Sequence, residues 1–200
     1  AIPVALQSML QASFSIVDQI MIGQLGSVSI AGIGLAGKFS SIFSVMVAAI
    51  GAVAGIMISQ YMGQKNRQEI RRSFYLNLTI ALIMAIGFSI VCIAFPKHLM
   101  CFYTKDSQTL IAASRYLSII AGTFLPIAGA TLLSTMFRCM EKAQIPRYAS
   151  SASAILNTGL NYLLIFGAFG FAPMGAKGAA IATVISQCVN VIIMLNMLAK

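Results

Sequence analysis

The sequence predicts an all-α integral membrane protein with six transmembrane helices. The first indication is composition, because 59% of the 200 residues are hydrophobic and only 8% are charged, whereas an average soluble domain has about 25% charged residues. The second is the spacing of the apolar residues, which form six long runs separated by short polar connections. The mean hydropathy of +0.91 agrees with this class.

The net charge of +9 needs its own explanation, because basic soluble proteins commonly bind nucleic acids. Here the basic residues lie mostly between the apolar runs, which is typical of topology signals in membrane proteins. We therefore expect contact with membrane lipid and no nucleic acid partner.

The expected spans are residues 1–23, 30–62, 74–95, 110–136, 148–167 and 178–198. The second exceeds the roughly 20 residues that a bilayer requires, so it should tilt, bend or project beyond the membrane. Pro126 predicts a kink in the fourth span, because proline removes a backbone hydrogen bond. The connection 96–108 predicts a short interfacial helix, and the charged run 63–72 is expected to be a loop.

Small residues in the second span predict close packing against other helices. Gly51 and Gly55 form a GxxxG pattern, and Gly32, Gly34 and Gly37 precede it. Such spacing lets helix backbones approach closely.

The distribution of lysine and arginine predicts the orientation in a cell membrane. The connections after spans two and four, and the end after span six, carry Lys65, Arg67, Arg71, Arg72, Arg138, Lys142, Arg147 and Lys200. The opposite side carries Lys97, Lys105 and Lys177. The positive-inside rule then puts the N-terminus in the cytoplasm and Asp18 in the outer half of the first span.

Asp18 is the only acid inside any of the long apolar runs. An aspartate at a helix centre in the membrane costs on the order of 3 kcal/mol, so such residues face a protein interior or a wet cavity and mark function. Asp18 is therefore the first candidate for a functional residue.

A weak internal repeat links the first and fifth spans. Pro3 precedes Asp18 by the same spacing as Pro146 precedes Asn161, and both spans run outward, so Asp18 and Asn161 should lie at matching depth. Asn157 lies one turn before Asn161 on the same helix face. These residues predict a polar pocket; the alternatives are that the two asparagines only bond neighbouring helices, or that the proline spacing is a coincidence.

The four cysteines show no CxxC or Cys/His spacing, so we expect neither a disulfide nor a bound metal. In the apolar runs free cysteine behaves as a small hydrophobic residue. The chain opens directly on an apolar run with no basic segment before it, and we expect a truncated N-terminus on that ground.

Five segments carry a family resemblance in a consistent order along the chain. They are 17–26 (VDQIMIGQLG), 58–63 (ISQYMG), 136–146 (MFRCMEKAQIP), 156–167 (LNTGLNYLLIFG) and 175–183 (GAKGAAIAT). Together they resemble the multidrug and toxic compound extrusion (MATE) family. The resemblance implies twelve helices in two six-helix lobes around a central cleft, with this chain as the N-terminal lobe and a C-terminal lobe as its partner.

The resemblance also implies roles for individual residues. Asp18 matches an acid implicated in cation coupling, and Asn157 and Asn161 match positions lining the same cavity. Pro3 matches a proline linked to helix bending, and Thr183 lies where a sixth-helix hydroxyl joins the network. This sequence departs from some members at Asn161, where they carry a second aspartate, so Asp18 is left to carry coupling in this lobe.

The residues themselves allow two coupling ions. Burial disfavours a charged carboxylate, so Asp18 can load and release a proton, and its two protonation states should favour different helix arrangements. Alternatively, Na+ could be held by the oxygens of Asp18, Asn157 and Asn161. The sequence leaves both open, and no other cofactor is expected.

An acidic cavity with Met and Phe suits a cationic organic substrate. Gln11 and Phe14 share a helix face with Asp18, so both are candidate cavity residues. Lys38 lies inside the second span, where it either reaches the membrane surface or faces the cavity and pairs with Asp18.

The expected function is a secondary active exporter of organic cations or drug-like compounds, driven by H+ or Na+. A lipid-linked oligosaccharide flippase of related architecture is the alternative. It would require Lys38 and Arg115 to face the cavity. An intramembrane enzyme would need a second catalytic group near Asp18, which the spans do not offer. A purely structural bundle or channel would show no substrate-dependent ion movement.

Overall fold

The computed structural model describes residues 2–167 and 172–198, and within them every element is helical. The helices are α1 (Ile2–Gly23), α2 (Ser27–Gly63), α3 (Arg67–Ala94), α4 (Pro96–Cys101), α5 (Ser107–Ile120), α6 (Phe124–Cys139), α7 (Gln144–Phe166) and α8 (Ala176–Leu198). A single 3-10 turn, Ala121–Thr123, joins α5 to α6, so the two form one continuous segment. The predicted short helix between the third and fourth spans is α4.

A 3-10 turn interrupts the fourth span next to Pro126, the residue that predicted a kink there. Pro126 occupies the first turn of α6, and the 3-10 turn directly precedes that helix. Proline cannot donate a backbone hydrogen bond, so the regular ladder is interrupted at this point. The buried hydroxyl of Ser89 on α3 donates to the Ala121 carbonyl at 3.0 Å, which satisfies an acceptor in this turn.

Four segments are long and apolar enough to cross a membrane. They are Ser27–Gly63, Arg67–Ala94, Ser107–Cys139 and Ala176–Leu198. Within α1, the segment Ala12–Gly23 is apolar but shorter than these four. The helix α7 has 23 residues, but its serines and asparagines lower its hydropathy. The polar face of α7 proves to be the one that meets Asp18.

The charged run 63–72 is not a loop throughout, contrary to the prediction. The helix α3 already begins at Arg67, because the Asn66 side chain caps it by accepting from the Glu69 backbone N–H at 3.3 Å. An N-cap of this kind satisfies one of the amide groups that a helix start leaves free. Asp106 caps α5 in the same way through the Thr109 N–H at 2.9 Å. The hydrogen bonds from Thr109 lower the pKa of the Asp106 carboxyl.

Three aromatic rings form the centre of the core around α2. The Phe43 ring lies 4.4 Å from that of Phe124 and 5.5 Å from that of Phe88, centroid to centroid. Phe43 and Phe124 are fully buried. Aromatic pairs at these separations add to the stabilisation from buried area, so α2, α3 and α6 are held as one unit.

Small residues bring helix backbones together, although not at every predicted glycine. A Cβ at Gly32 would lie 2.9 Å from the Ala113 backbone of α5, and one at Gly51 or Gly55 would lie 3.0 or 3.1 Å from threonine methyl groups of α6. Gly34 and Gly37 have nothing within 4 Å of a built Cβ. The GxxxG prediction is therefore confirmed for the α2 and α6 contact, and the other two glycines do not take part.

The helices α7 and α8 pack closely, and their contact positions the polar residues. A Cβ at Gly178 would lie 2.6 Å from the Leu164 carbonyl oxygen, so only glycine fits there without a shift. The buried Ser153 hydroxyl donates to the Ser186 carbonyl at 2.6 Å across the same contact. The helix α1 then packs along α7, which brings Asp18 to the polar face of α7.

Candidate functional site

Asp18 is held by hydrogen bonds from α7. Its Oδ1 accepts from the Asn161 Nδ2 at 3.1 Å and from the Thr158 Oγ1 at 3.2 Å. Asn161 is only 3% exposed, while Asp18 is half-buried. The structure therefore brings together Asp18 and Asn161, the two residues that share a spacing from their prolines. Donors aimed at one carboxylate oxygen leave the other oxygen for a different partner.

That other oxygen, Asp18 Oδ2, faces the side-chain amide of Asn157. The nearer end of the amide lies 2.8 Å away, and which atom stands there depends on how the amide is turned. With nitrogen there, the amide donates to an ionised carboxylate. With oxygen there, both atoms are acceptors, and the contact requires a proton on Asp18 Oδ2. A separation of 2.8 Å suits either hydrogen bond.

The surrounding contacts respond differently to the two orientations. When the Asn157 oxygen faces Asp18, that oxygen also accepts from the Asn161 Nδ2 at 3.2 Å, and the Asn157 Nδ2 donates to the Thr183 Oγ1 at 3.4 Å. When the nitrogen faces Asp18, it meets the Asn161 nitrogen at 3.2 Å, and two donors oppose each other; the Asn157 oxygen then accepts from the Thr183 backbone N–H at 3.3 Å.

With the oxygen facing Asp18, the Asn157 nitrogen opposes the Thr183 backbone N–H at 3.3 Å. With the nitrogen facing Asp18, it opposes the Asn161 nitrogen at 3.2 Å. Each orientation therefore leaves one pair of donors opposed. An unmatched contact between buried polar groups costs free energy. The geometry thus links the charge of Asp18 to the orientation of Asn157.

A cavity of about 370 Å³ opens beside this network. It is lined by Asp18, Asn157 and Thr183, and by the half-buried ring of Phe14. Phe14 and Thr183 are thus brought to the Asp18 cavity. Away from Asp18 the cavity is lined by Ser150, Ser153, Ser186, Gln187 and Asn190, so it continues along α7 and α8 as a polar surface.

Two buried amide oxygens in this region have no hydrogen-bond partner among the described residues. They are the Oδ1 atoms of Asn161 and Asn190. Buried acceptors are normally satisfied. Each of these oxygens can therefore accept a hydrogen bond from water or coordinate a cation. The oxygen of Asn161 belongs to a residue bonded to Asp18.

Three candidate residues are not brought to the site by the described contacts. Lys38 is exposed on α2, does not line the Asp18 cavity, and forms no ion pair with Asp18 in the described part of the chain. The side chains of Pro3 and Gln11 lie outside the described residues. Their expected roles in helix bending and in the cavity remain predictions.

The sequence analysis missed Thr158 and Asn190. Thr158 is a direct donor to Asp18, and its place three residues before Asn161 is the signal that could have identified it. Asn190 lies in the same cavity, a proximity that no local sequence pattern indicates.

Comparisons with known proteins agree on the class of protein. The sequence model of the MatE family matches residues 3–163. A probable multidrug resistance protein NorM of Thermotoga maritima is 25% identical over 190 residues, which are 95% of this chain and 41% of that protein. The chain therefore spans about 41% of the length of this curated relative.

Solved structures show the same fold. A crystal structure of MATE in complex with MaD3S superposes with a TM-score of 0.88 at 20% identity, covering 98% of this chain and 44% of that one. A MOP superfamily transporter from Pyrococcus furiosus, described as having a binding pocket of reverse polarity, gives a TM-score of 0.83 at 21% identity over 98% and 43% of the two chains. The described helices thus correspond to one lobe of such transporters.

Proposed function

We propose that this chain, which belongs to the MatE family, forms the N-terminal lobe of a secondary active multidrug exporter in which Asp18 is the coupling carboxylate. Members of this family are transporters, and the chain is a multi-pass membrane protein and not an enzyme. The single observation that carries the proposal is the hydrogen-bonded group of Asp18, Asn157, Asn161 and Thr183 beside a cavity. A C-terminal lobe would complete the cleft.

The first candidate coupling ion is the proton. A protonated Asp18 Oδ2 would donate to the Asn157 oxygen at 2.8 Å, whereas an ionised Asp18 requires the Asn157 nitrogen at that position. Loading a proton would therefore turn the Asn157 amide and change its bond to α8 at Thr183. An ion that has different interaction free energies in two arrangements shifts the equilibrium between them, which is the requirement for alternating access.

Na+ is the second candidate ion, and one observation supports it. The Asn161 Oδ1 is buried and has no partner among the described residues, and with Asp18 and the Asn157 oxygen it would offer the oxygen ligands that hard cations prefer. Sodium binding would leave Asp18 ionised and would keep the Asn157 oxygen towards the ion. The test below separates the two ions.

The membrane arrangement is part of the proposal. The helices α1 and α7 would cross the membrane together with the four more apolar segments, giving six spans. The basic connections after α2 and α6 would lie in the cytoplasm, with the N-terminus on the same side. The Asp18 cavity would then open towards the outer half of the bilayer, where a proton or sodium ion enters.

The proposed substrates are organic cations and drug-like compounds. Asp18 is the only acid that lines the described cavity, and Phe14 supplies an aromatic surface beside it. A carboxylate attracts a cation, and an aromatic ring adds a favourable cation–π contact. Binding a cationic substrate and binding a proton at the same carboxylate exclude each other, which is how exchange would arise.

A lipid-linked oligosaccharide flippase is the alternative function, and it would need basic residues in the cavity. Neither Lys38 nor Arg115 lines the cavity that holds Asp18; Arg115 lines a separate pocket with Lys177. The basic pocket at Arg115 and Lys177 is the observation that keeps this alternative in the test. Loss of function on neutralising these two residues, with Asp18 dispensable, would favour the flippase.

The experiment is efflux of ethidium from proteoliposomes that contain the full-length protein. It is driven separately by a proton gradient and by a sodium gradient. Asp18→Asn should abolish gradient-driven efflux because the amide cannot exchange a proton. The matched control is Asp106→Asn, which makes the same change outside the spans and should retain efflux.

Each result has a definite meaning. Efflux that follows the proton gradient, and that Asp18→Asn removes, agrees with the proposal. Efflux that follows only the sodium gradient would replace the proton by Na+ at the same residue. Wild-type efflux by Asp18→Asn would refute the role of Asp18, and the absence of gradient-driven movement of any cation would favour the flippase.

A further inference from the structure

A second cavity lies away from the Asp18 site and shares none of its lining residues. It is an apolar groove of about 530 Å³ between α3, α6 and α8, with Leu78, Gly129 and Val191 in its walls. Tyr75 and Ile192 line it and are 57% and 54% exposed, so the groove is open to the surroundings of the helix bundle. The proposed coupling chemistry does not use it.

The groove occupies one half of the bundle along the helix axes. It is lined by the first half of α3, from Phe74 to Leu82, and by the second half of α8, from Cys188 to Leu198. The groove-lining part of α8, from Cys188 to Leu198, is about 15 Å long at roughly 1.5 Å per residue. One leaflet of the hydrocarbon core is about 15 Å thick, half of the roughly 30 Å of a bilayer. The groove is therefore as long as one leaflet.

One arginine lies at the end of this groove. The groove-lining residues of α3 follow a helical stripe, Phe74, Leu78 and Leu82, and Arg71 continues that stripe one turn towards the start of the helix. Arg71 is exposed, and no acidic side chain lies within ion-pair distance of it in the described part of the chain. The next residue, Arg72, pairs with Glu69 at 3.7 Å instead.

We propose that this groove binds one acyl chain of an anionic phospholipid, with the lipid phosphate at Arg71. The groove is lined almost wholly by apolar side chains and contains no acid, so it offers no charge partner to an organic cation. A guanidinium recognises phosphate oxygens well, and a basic residue near the surface attracts anionic lipid. The site holds a lipid against the contact of α3, α6 and α8.

This inference requires only that these helices span the membrane. It is independent of the role of Asp18 and of the coupling ion, so failure of one proposal leaves the other standing. A lipid at this place would fill space between α6 and α8, and α8 carries Thr183 at its other end.

The test uses the full-length protein in mild detergent with phosphatidylglycerol or phosphatidylcholine, each carrying a photoreactive group on its acyl chain. Cross-linked peptides should map to residues 74–82 and 188–198. Native mass spectrometry should show that Arg71→Gln binds phosphatidylglycerol about fivefold less, in line with the contribution of one basic residue near a membrane surface. Binding of phosphatidylcholine should not change.

Two further variants make the test specific. Arg72→Gln is the matched control, because it removes the same charge from the neighbouring, ion-paired position, and it should bind as the wild type does. Gly129→Phe fills the groove; its Cβ would meet only Val191, at 3.8 Å, so the ring can extend into the open space. This variant should lose cross-linking of both lipids.

Three results would overturn the proposal. They are equal losses in Arg71→Gln and Arg72→Gln, cross-links that map elsewhere, and the absence of any lipid cross-link in the groove. The last result would mean that a second lobe covers this face. If Gly129→Phe fails to fold, the comparison of the two arginine variants still decides the question.

Discussion

At the scale of single residues, Asp18 is unusual because donors on one helix hold one of its oxygens while a reorientable amide faces the other. Thr158 and Asn161 both donate to Oδ1 from α7, and Asn157 faces Oδ2. The fixed donors favour the ionised carboxylate, whereas the Asn157 oxygen favours the protonated one. The orientation of the Asn157 amide is therefore tied to the charge on Asp18.

Removing the Thr158 hydroxyl should weaken the hold of α7 on Asp18. Thr158→Val keeps the shape of the side chain but deletes a donor at 3.2 Å from Asp18 Oδ1. The ionised carboxylate loses about 0.5–1.5 kcal/mol of hydrogen bonding. We expect gradient-driven ethidium efflux to slow by about 2–10-fold.

The control for this variant is Thr79→Val, since the Thr79 hydroxyl bonds only the Tyr75 carbonyl of its own helix. Its ethidium efflux should match that of the wild type. Unchanged efflux in Thr158→Val would contradict a direct bond from Thr158 to the proposed coupling carboxylate.

At the scale of helices, the contact between α7 and α8 keeps the polar face in register. The Leu164 carbonyl accepts from the Met174 N–H at 2.9 Å, and Gly178 packs directly on that carbonyl. This close contact between α7 and α8 brings the Thr183 hydroxyl to 3.4 Å from the Asn157 side chain. The site therefore depends on a glycine that is itself outside the cavity.

Gly178→Ala should destabilise the protein, because the added Cβ would lie 2.6 Å from a backbone oxygen that cannot move alone. Such overpacking costs about 1–3 kcal/mol, and we expect a lower melting temperature of the purified protein. Gly159→Ala is the matched control within α7. Its Cβ meets nothing within 4 Å, and alanine is favoured over glycine inside a helix by about 1 kcal/mol. Equal melting temperatures for the two variants would argue against this contact.

At the scale of the whole molecule, the positions of the basic residues predict how the protein is oriented in the membrane. The basic end of α3, with Arg67, Arg71 and Arg72, and the basic turn after α6 are expected on the cytoplasmic side. The short helix α4 then lies on the outer side, and its Cys101 is exposed.

This orientation predicts which cysteine a membrane-impermeant maleimide labels in intact cells. With Cys92, Cys139 and Cys188 changed to serine, Cys101 should be labelled from outside, because α4 joins two spans at the outer surface. In a variant that also lacks Cys101, Asn66→Cys should be labelled only after the cells are opened. Labelling of position 66 alone in intact cells would reverse the orientation and place Asp18 nearer the cytoplasm.

Several features of the site were predictable from local pattern. The equal spacing of Asp18 and Asn161 from their prolines predicted a common depth, and the two side chains are bonded at 3.1 Å. The spacing of Asn157 from Asn161 placed them on one face. By contrast, the start of α3 at Arg67 was missed, because a dense run of charges hides the capping role of Asn66. The sequence left two positions open for Lys38, and the structure shows it exposed on α2 and outside the Asp18 cavity.

The sequence by itself determined the class of protein, the approximate spans and the presence of one acid in the membrane, because these depend on composition and on periodicity along a single helix. It also identified the family. Only the tertiary structure decided that Thr158 donates to Asp18, that Asn190 shares the cavity, and that an apolar groove lies between α3, α6 and α8. These contacts depend on the rotation and crossing of neighbouring helices, which close approaches such as Gly178 against Leu164 set.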